Sequence, residues 1–412
     1  MADTERSSSK AIVVSDFTVT TAVGRGRAAL RDALANRRGA LKPCEFAPRE
    51  LQPFGRQHRI ETFIGEVDGV DDVQLPAALA DYDCRNNRLA WLALQQDGMF
   101  DAARQLCARY GAQCVALVLG TSTSGLMQVE WAYHARNRDG LLPSAFRYRE
   151  TLNCFSAAAF VAAATGIAGP ASMISTACSS SAKVFAAAAR LIRANLADAA
   201  LVGGVDSLCL TTLSGFGSLE LLSREACRPY AVDRSGISIG EGAGFAILER
   251  APQARRAVAQ LAGWGESSDA FHMSTPHPDG LGAQLAIRAA LERAGIGPRE
   301  VGYINLHGTA TRTNDAAEAH AVHAVFGDAV PTSSTKAWFG HLLGAAGIAE
   351  AAVTLTALTE EFAPGTLNTP AKDPACPNHL LIENEALRFD VALSNSFGFG
   401  GSNCTLAFRR FD

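Results

Sequence analysis

The chain has 412 residues, 48% apolar and 19% charged, which fills one large core or two ordinary ones and is too apolar for disorder. Thirty-seven basic residues face 41 acidic ones, a net charge of −4, so there is no bulk positive field to hold nucleic acid. The opening MADTERSSSK lacks an apolar signal core and no apolar run nears the roughly 18 residues of a membrane helix, so a soluble, cytoplasmic protein without membrane insertion is expected.

Strand-like runs alternate with alanine-rich helical stretches along the chain. AIVVSDF (11–17) and CVALVLG (114–120) come first. A stretch over 125–151, rich in Arg, Tyr and Trp, reads as an irregular insertion that covers a site or forms an interface. A helix over Ala182–Leu196 precedes the strands ALVGGV (200–205) and GFAILE (244–249). The polar segment Ala251–Ala259, with Pro252, reads as a seam. Beyond it lie a helix over Leu281–Ala294, the strand YINLHG (303–308), helices over Asn314–Phe326 and Gly347–Leu358, and the strand NCTLAF (403–408). This alternation predicts an α/β fold with buried sheets. ISTACSSSAKVFAAAARLI (174–192) and SSTKAWFGHLLGAAGIAEAAVTLTAL (333–358) share one rhythm of strand, small-residue turn and helix. The expected organisation is therefore two duplicated halves, 1–255 and 256–412, with a site between them.

Ten cysteines without a CxxC pair argue against a zinc ribbon or a thioredoxin-type centre. Cys178 follows the strand-like MIST and opens a helical run. There the helix dipole and unpaired N–H groups are expected to lower its pKa toward neutrality. Taken alone, it could equally be a buried structural thiol. His307 lies directly after the strand YIN, and His341 lies in a small-residue turn read as opening a helix. A helix N-terminus disfavours imidazolium, so His341 is expected to be a neutral donor suited to a developing enolate or oxyanion. Lys336 adds a cation to the same turn, unless it is a surface lysine.

His320 and His323 share a helix face but lack a third ligand, and His272 and His277 read as loop residues. Asp206, Asp233 and Glu241 show no carboxylate-pair spacing. GEGAGF (240–245) departs from a dinucleotide fingerprint and no GxxxxGK[ST] occurs, so neither metal catalysis nor nucleotide binding is supported. The glycines around Phe397 and Phe399 suit a tight turn that directs N–H groups into a cavity walled by those two rings.

TACSSSA around Cys178, NLHGTAT around His307, SSTKAWFGHLLGAAG around Lys336 and His341, and NSFGFGGSN (395–403) follow one another in that order. With RPYAVDRSGISIGEGAG (228–244), this set resembles the β-ketoacyl-[acyl carrier protein] synthases, type I/II branch, of the thiolase superfamily. Relatives that condense on coenzyme A usually carry Asn where His341 stands. The resemblance implies a five-layer αβαβα sandwich and a homodimer, with a heterodimer including a ketosynthase-like subunit as the alternative. It implies an acyl-enzyme on Cys178, an oxyanion hole from the N–H groups of Cys178 and Phe399, and decarboxylation of malonyl carrier protein. His307 and His341 would stabilise the enolate, with Lys336, paired with Glu318, supporting them. Phe399 would gate the acyl pocket, Phe397 would wall it, and Thr309 and Thr311 would hold the phosphopantetheine arm. No cofactor is implied beyond that arm.

Asn305, Glu350, Ser394 and Asn395 correspond to residues that sometimes hold a monovalent cation, against the plainer reading of a buried hydrogen-bond network. Arg85, Arg88 and Arg224 fall where the family places a patch for the acidic acyl carrier protein. Trp338 and Phe339, the turn GTSTSG (120–125) and Arg312-Thr313-Asn314 depart from the family pattern and bear on the acyl chain rather than the reaction. Fatty-acid elongation and polyketide or polyene elongation are both open. The competing readings are a non-catalytic chain-length-factor-like subunit and a thioester hydrolase or acyltransferase using Cys178.

Overall fold

The computed structural model describes residues 11–47 and 60–411. The opening MADTERSSSK and the first residues of the 1–255 half lie outside them. Ten strands form the frame: β1 Ile12–Thr21, β2 Val115–Gly120, β3 Ala171–Ile174, β4 Ala199–Asp206, β5 Gly242–Arg250, β6 Ala259–Ser268, β7 Tyr303–Asn305, β8 Thr332–Ser333, β9 Val391–Gly398 and β10 Ser402–Arg409. Their spatial order is β3-β2-β4-β5-β1 in one half-sheet and β8-β7-β9-β10-β6 in the other. Each half thus follows the order 3-2-4-5-1, with its first three neighbours parallel and the last two pairings antiparallel. Even a bulge is repeated: the register slips between Val14 and Asp16 in β1 and between Leu261 and Gly263 in β6. The half-sheets join over two residue pairs, Val13 with Gln260 and Val14 with Ala259.

Alternation along each strand decides the layers. In β2, Val115, Leu117 and Leu119 face the outer helices α1 (Arg85–Leu94), α2 (Met99–Tyr110) and α3 (Ser156–Thr165), while Ala116 and Val118 face inward. In the second half, Ile304 and Leu393 face the outer helices α5 (Leu281–Ala294) and α6 (Arg312–Phe326), and Tyr303 and Ala392 face inward. Between the half-sheets lie α4 (Ser180–Arg193) and α7 (Ala346–Glu360), sharing one apolar cluster with both inner faces. Almost every side chain of α7 is buried, as befits a helix that is apolar on nearly every side; its Glu350 and threonines are the polar exceptions. Five layers result, and the two helices foreseen as a repeat form the central one.

Local differences from the sequence reading have local causes. α4 starts at Ser180 and ends at Arg193, because Asn195 turns left-handed at φ +57°. The 125–151 stretch is not wholly irregular: Leu126–His134 is a helix whose Glu130 accepts the N–H groups of Leu210 and Thr211 at the start of the helix Leu210–Ser218. Trp338 and Phe339 are fully buried in the central core, where their bulk fills the layer, and they are not among the residues that line the site cavity.

α4 and α7 approach closely through Gly347, where a Cβ would stand 2.4 Å from the backbone nitrogen of Ala182. Helix propensity alone would favour Gly347→Ala by about 1 kcal/mol. The clash is with backbone and outweighs that, so the variant should lose about 1–3 kcal/mol in urea unfolding. A gain in stability would mean that the central layer has room to spare.

Candidate active site

The turn between β3 and α4 carries Ala177 at φ +51°, a left-handed geometry strained for a residue with a Cβ. Two serines pin it. Ser179 Oγ donates to Thr176 O at 3.0 Å; Ser180 Oγ donates to Ala177 O at 2.6 Å and accepts from the Thr176 N–H at 2.9 Å. Cys178 therefore stands ahead of the N-cap Ser179, not in the first helical turn as expected. Its thiol is buried, and burial pushes it up to about 11 rather than toward neutrality. Lys336 and the N–H groups of Phe399 and of Cys178 itself pull the other way. The two expected oxyanion donors therefore both favour negative charge at the sulfur. Gly398 permits this, since a Cβ there would stand 2.9 Å from Thr176 O and 3.2 Å from Cys178 N.

His307 follows β7 on a backbone held by Glu318, whose carboxylate accepts the N–H groups of His307 and Gly308, each at 2.8 Å. Tyr230 Oη and Asn395 Nδ2 complete Glu318 at 2.9 and 3.2 Å. Glu318 is thus occupied, and it is not the partner expected for Lys336. Lys336 is buried, not a surface lysine, and its ammonium pairs with Glu350 of α7. It also donates to the carbonyl of His307 and faces Nδ1 of that ring at 3.3 Å. Burial lifts the Glu350 carboxyl to about 7, against the pull of Lys336.

His341 opens no helix. It sits in a bridge to Ile239, its N–H donating to Ser238 O at 2.7 Å. Its Nδ1 accepts the Leu343 N–H at 3.3 Å and its Nε2 lies 3.1 Å from Cys178 Sγ. Burial, reinforced by Lys336, holds both imidazoles well below the ordinary histidine pKa. They are neutral for a different reason from the helix terminus invoked above. Each Nδ1 faces a donor, Lys336 or the Leu343 amide, so in each ring the proton sits on Nε2. The two rings stand edge-on, centroids 5.3 Å apart. Cys178 Sγ and one nitrogen of each ring lie within 4.8 Å of one another, the only such trio of His, Cys, Asp or Glu among the described residues.

The cavity at this cluster is also lined by Phe216, Leu221, Ile237, Thr309, Thr311, Phe397 and Phe399. Phe397 is buried with its ring 6.2 Å from that of His307, and Phe399 is partly exposed beside Phe216. Thr309 and Thr311 hydroxyls are 2.9 Å apart, and Thr311 caps α6. Asn305 and Ser394 are register partners on the inner face of β7 and β9; Asn305 Oδ1 and Ser394 Oγ are buried without a hydrogen-bond partner. Two orphan oxygens suit a monovalent cation. Asn395, committed to Glu318 and Thr405, and Glu350, committed to Lys336, belong to a network.

Two of the three candidate docking arginines lie differently from the expectation. Arg85 is 2% exposed, bound to Glu241 at 2.5 and 3.0 Å and to Asp71 at 2.5 Å, so it offers no surface charge. Arg88 is half-buried and forks onto Asp83 at 2.6 and 2.8 Å. Arg224 is exposed. His320 and His323 are exposed and point at Pro278 O and Asp328. The sequence reading did not find Tyr230, whose hydroxyl completes Glu318; a tyrosine in a loop gives no sign of facing a glutamate 88 residues on.

The beta-ketoacyl synthase N-terminal domain profile matches residues 11–254, and the C-terminal domain profile matches 258–370. The chain belongs to the beta-ketoacyl synthase family. It is 40% identical over 262 residues to 3-oxoacyl-[acyl-carrier-protein] synthase 2 of Synechocystis, a match covering 60% of this chain and 63% of that protein. A chain of the ketosynthase ApeO–chain length factor ApeC complex of Xenorhabdus doucetiae superposes with a TM-score of 0.86 at 36% identity, covering 97% of this chain and 98% of that one. A chain of the ishigamide ketosynthase/chain length factor does so with a TM-score of 0.85 at 26% identity, over 98% and 99%. The five layers are those of the thiolase fold. Among the described residues, no helix is long and apolar enough to cross a membrane.

Removing Lys336 leaves the buried Glu350 carboxyl without its cation, with only the Ser396 hydroxyl at 3.4 Å. Lys336→Met should cost about 3–5 kcal/mol in chemical denaturation, and Lys336→Met with Glu350→Met should recover most of it. Equal losses in the single and double variants would show that the pair contributes no mutual compensation.

Proposed function

We propose that the protein is a condensing enzyme that joins an acyl group held on Cys178 to a malonyl group carried on acyl carrier protein. The carrying observation is the convergence of Cys178 Sγ, two Nε2–H imidazoles and two backbone N–H groups on one cavity. In the first step the Cys178 thiol gives up its proton as its sulfur attacks the thioester carbon; the carrier's sulfur leaves and takes that proton up, and the acyl group is bound to Cys178. The N–H groups of Cys178 and Phe399 hold the developing oxyanion. In the second step the bond from malonyl C2 to its carboxylate breaks and CO₂ departs. The electron pair becomes an enolate whose oxygen accepts from the Nε2–H groups of His307 and His341. C2 then attacks the Cys178 acyl carbon, the C–S bond breaks, and the sulfur leaves as a thiolate that takes a proton from water to restore the thiol.

Thr309 and Thr311 would bind the amides of the phosphopantetheine arm, the sole prosthetic group required, and Phe399 would gate the acyl channel. A monovalent cation at Asn305 and Ser394 would serve the fold. Arg224 is the surviving member of the proposed carrier-docking patch. The edge strand β3, paired only with β2 among the described residues, supports association with a second ketosynthase-type chain through that edge. A ketosynthase-like partner is favoured by the likeness to chains of two ketosynthase–chain length factor complexes; an identical partner is the other form. The complete Cys178–His307–His341–Lys336 set argues against a non-catalytic subunit, and two imidazoles directed at one point argue against a simple hydrolase.

Intact-protein mass after incubation with acyl carrier protein bearing saturated or polyenoyl chains should show one acyl adduct, absent in Cys178→Ala. Malonyl carrier protein should then give a product two carbons longer. No adduct with any chain length would refute the assignment. Decarboxylation should also persist as pH falls through 6.5, because lowered pKa values keep both rings neutral there; a rate that halves near 6.5 would contradict it.

A further inference from the structure

The turn Thr121-Ser122-Thr123, within GTSTSG, has no role in the chemistry above, and neither does Asp206, the fully buried last residue of β4. They meet. Asp206 Oδ1 accepts from Thr121 Oγ1 at 2.5 Å, from the Ser122 N–H at 2.9 Å, and from the Thr123 N–H and Oγ1 at 3.0 and 2.9 Å. Its Oδ2 accepts from Ser122 Oγ at 2.5 Å, from the Ser122 N–H at 3.0 Å and from the Gly344 N–H at 2.6 Å. Ser122 Oγ lies 3.2 Å from that Gly344 nitrogen as well. Six donors thus converge on one carboxylate, and one of them lies in the other half of the chain.

Gly344 follows Leu343, which is left-handed at φ +53°, strained for a branched side chain. The Leu343 N–H is the group that donates to His341 Nδ1. Holding Gly344 holds Leu343 in its strained turn, and that turn aims the amide at the ring. The approach is tight: a Cβ on Gly344 would stand 2.7 Å from Asp206 Oδ2. We propose that Asp206 and Thr121-Ser122-Thr123 form a positioning lock that keeps His341 as its Nε2–H tautomer through Leu343 and Gly344. The inference rests on the reading of His341 as an enolate donor, which needs the proton on Nε2.

The test uses the full-length protein labelled with ¹⁵N-histidine, with Asp206→Asn and the milder Ser122→Ala. Two-bond ¹H–¹⁵N spectra should assign His341 to the Nε2–H tautomer in the wild type and to a mixture in both variants. Decarboxylation of malonyl carrier protein should fall about 100-fold in kcat in Asp206→Asn with KM little changed, and less in Ser122→Ala. A folded Asp206→Asn with wild-type tautomer overturns the proposal, whether or not its rate falls, because Asp206 would then act on the fold alone. If Asp206→Asn does not fold, the tautomer in Ser122→Ala decides in the same way. A wild type without decarboxylase activity would refute the condensing reading, while the tautomer spectra would still decide the lock.

Discussion

A single buried ammonium organises the site. Lys336 sits where water is excluded and binds Glu350 of the central helix, the carbonyl of His307 and the neighbourhood of its ring. A charge in that position is tolerable only because its counter-ion is buried beside it. Its field then works on every reacting group in reach. It opposes the burial that raises the Cys178 thiol, and it joins burial in keeping both imidazoles neutral. An anionic sulfur and two uncharged N–H donors are different requirements, and the same cation favours both.

What the sequence revealed was whatever is decided locally. Cys178 and His307 each lie in a small-residue turn just beyond a strand, Lys336 opens and His341 follows the short helix Lys336–Phe339 beyond β8, and their order along the chain is distinctive. The strands were legible because buried ones are continuous apolar runs, and the duplication because the two turns share a rhythm. Pairings across the chain were not legible. Glu318 and Glu350 are both buried glutamates on helices, and only the layer assignment separates them: α6 lies outside the second half-sheet, whereas α7 lies between the half-sheets with Lys336. Arg85 reads as a surface residue because its partner Glu241 is 156 residues away.

The misread pKa of Cys178 teaches the same lesson. A helix beginning nearby suggests a lowered value, but the helix starts past the N-cap and the thiol is buried, so desolvation is the largest effect. His341 reverses the case. Its neutrality was expected from a helix terminus that is absent, and burial supplies it instead.

The two halves share strand order, pairing direction and even a bulge, so the turn carrying Cys178 and the turn carrying Lys336 and His341 are counterparts about an approximate twofold axis. Symmetry at the level of backbone has been broken at the level of charge. One copy presents a group that must become negative, and the other presents a fixed positive charge beside rings that must stay uncharged. No single sequence placed in both positions could meet both demands, so the divergence of the copies is what makes a reactive centre out of a repeated scaffold.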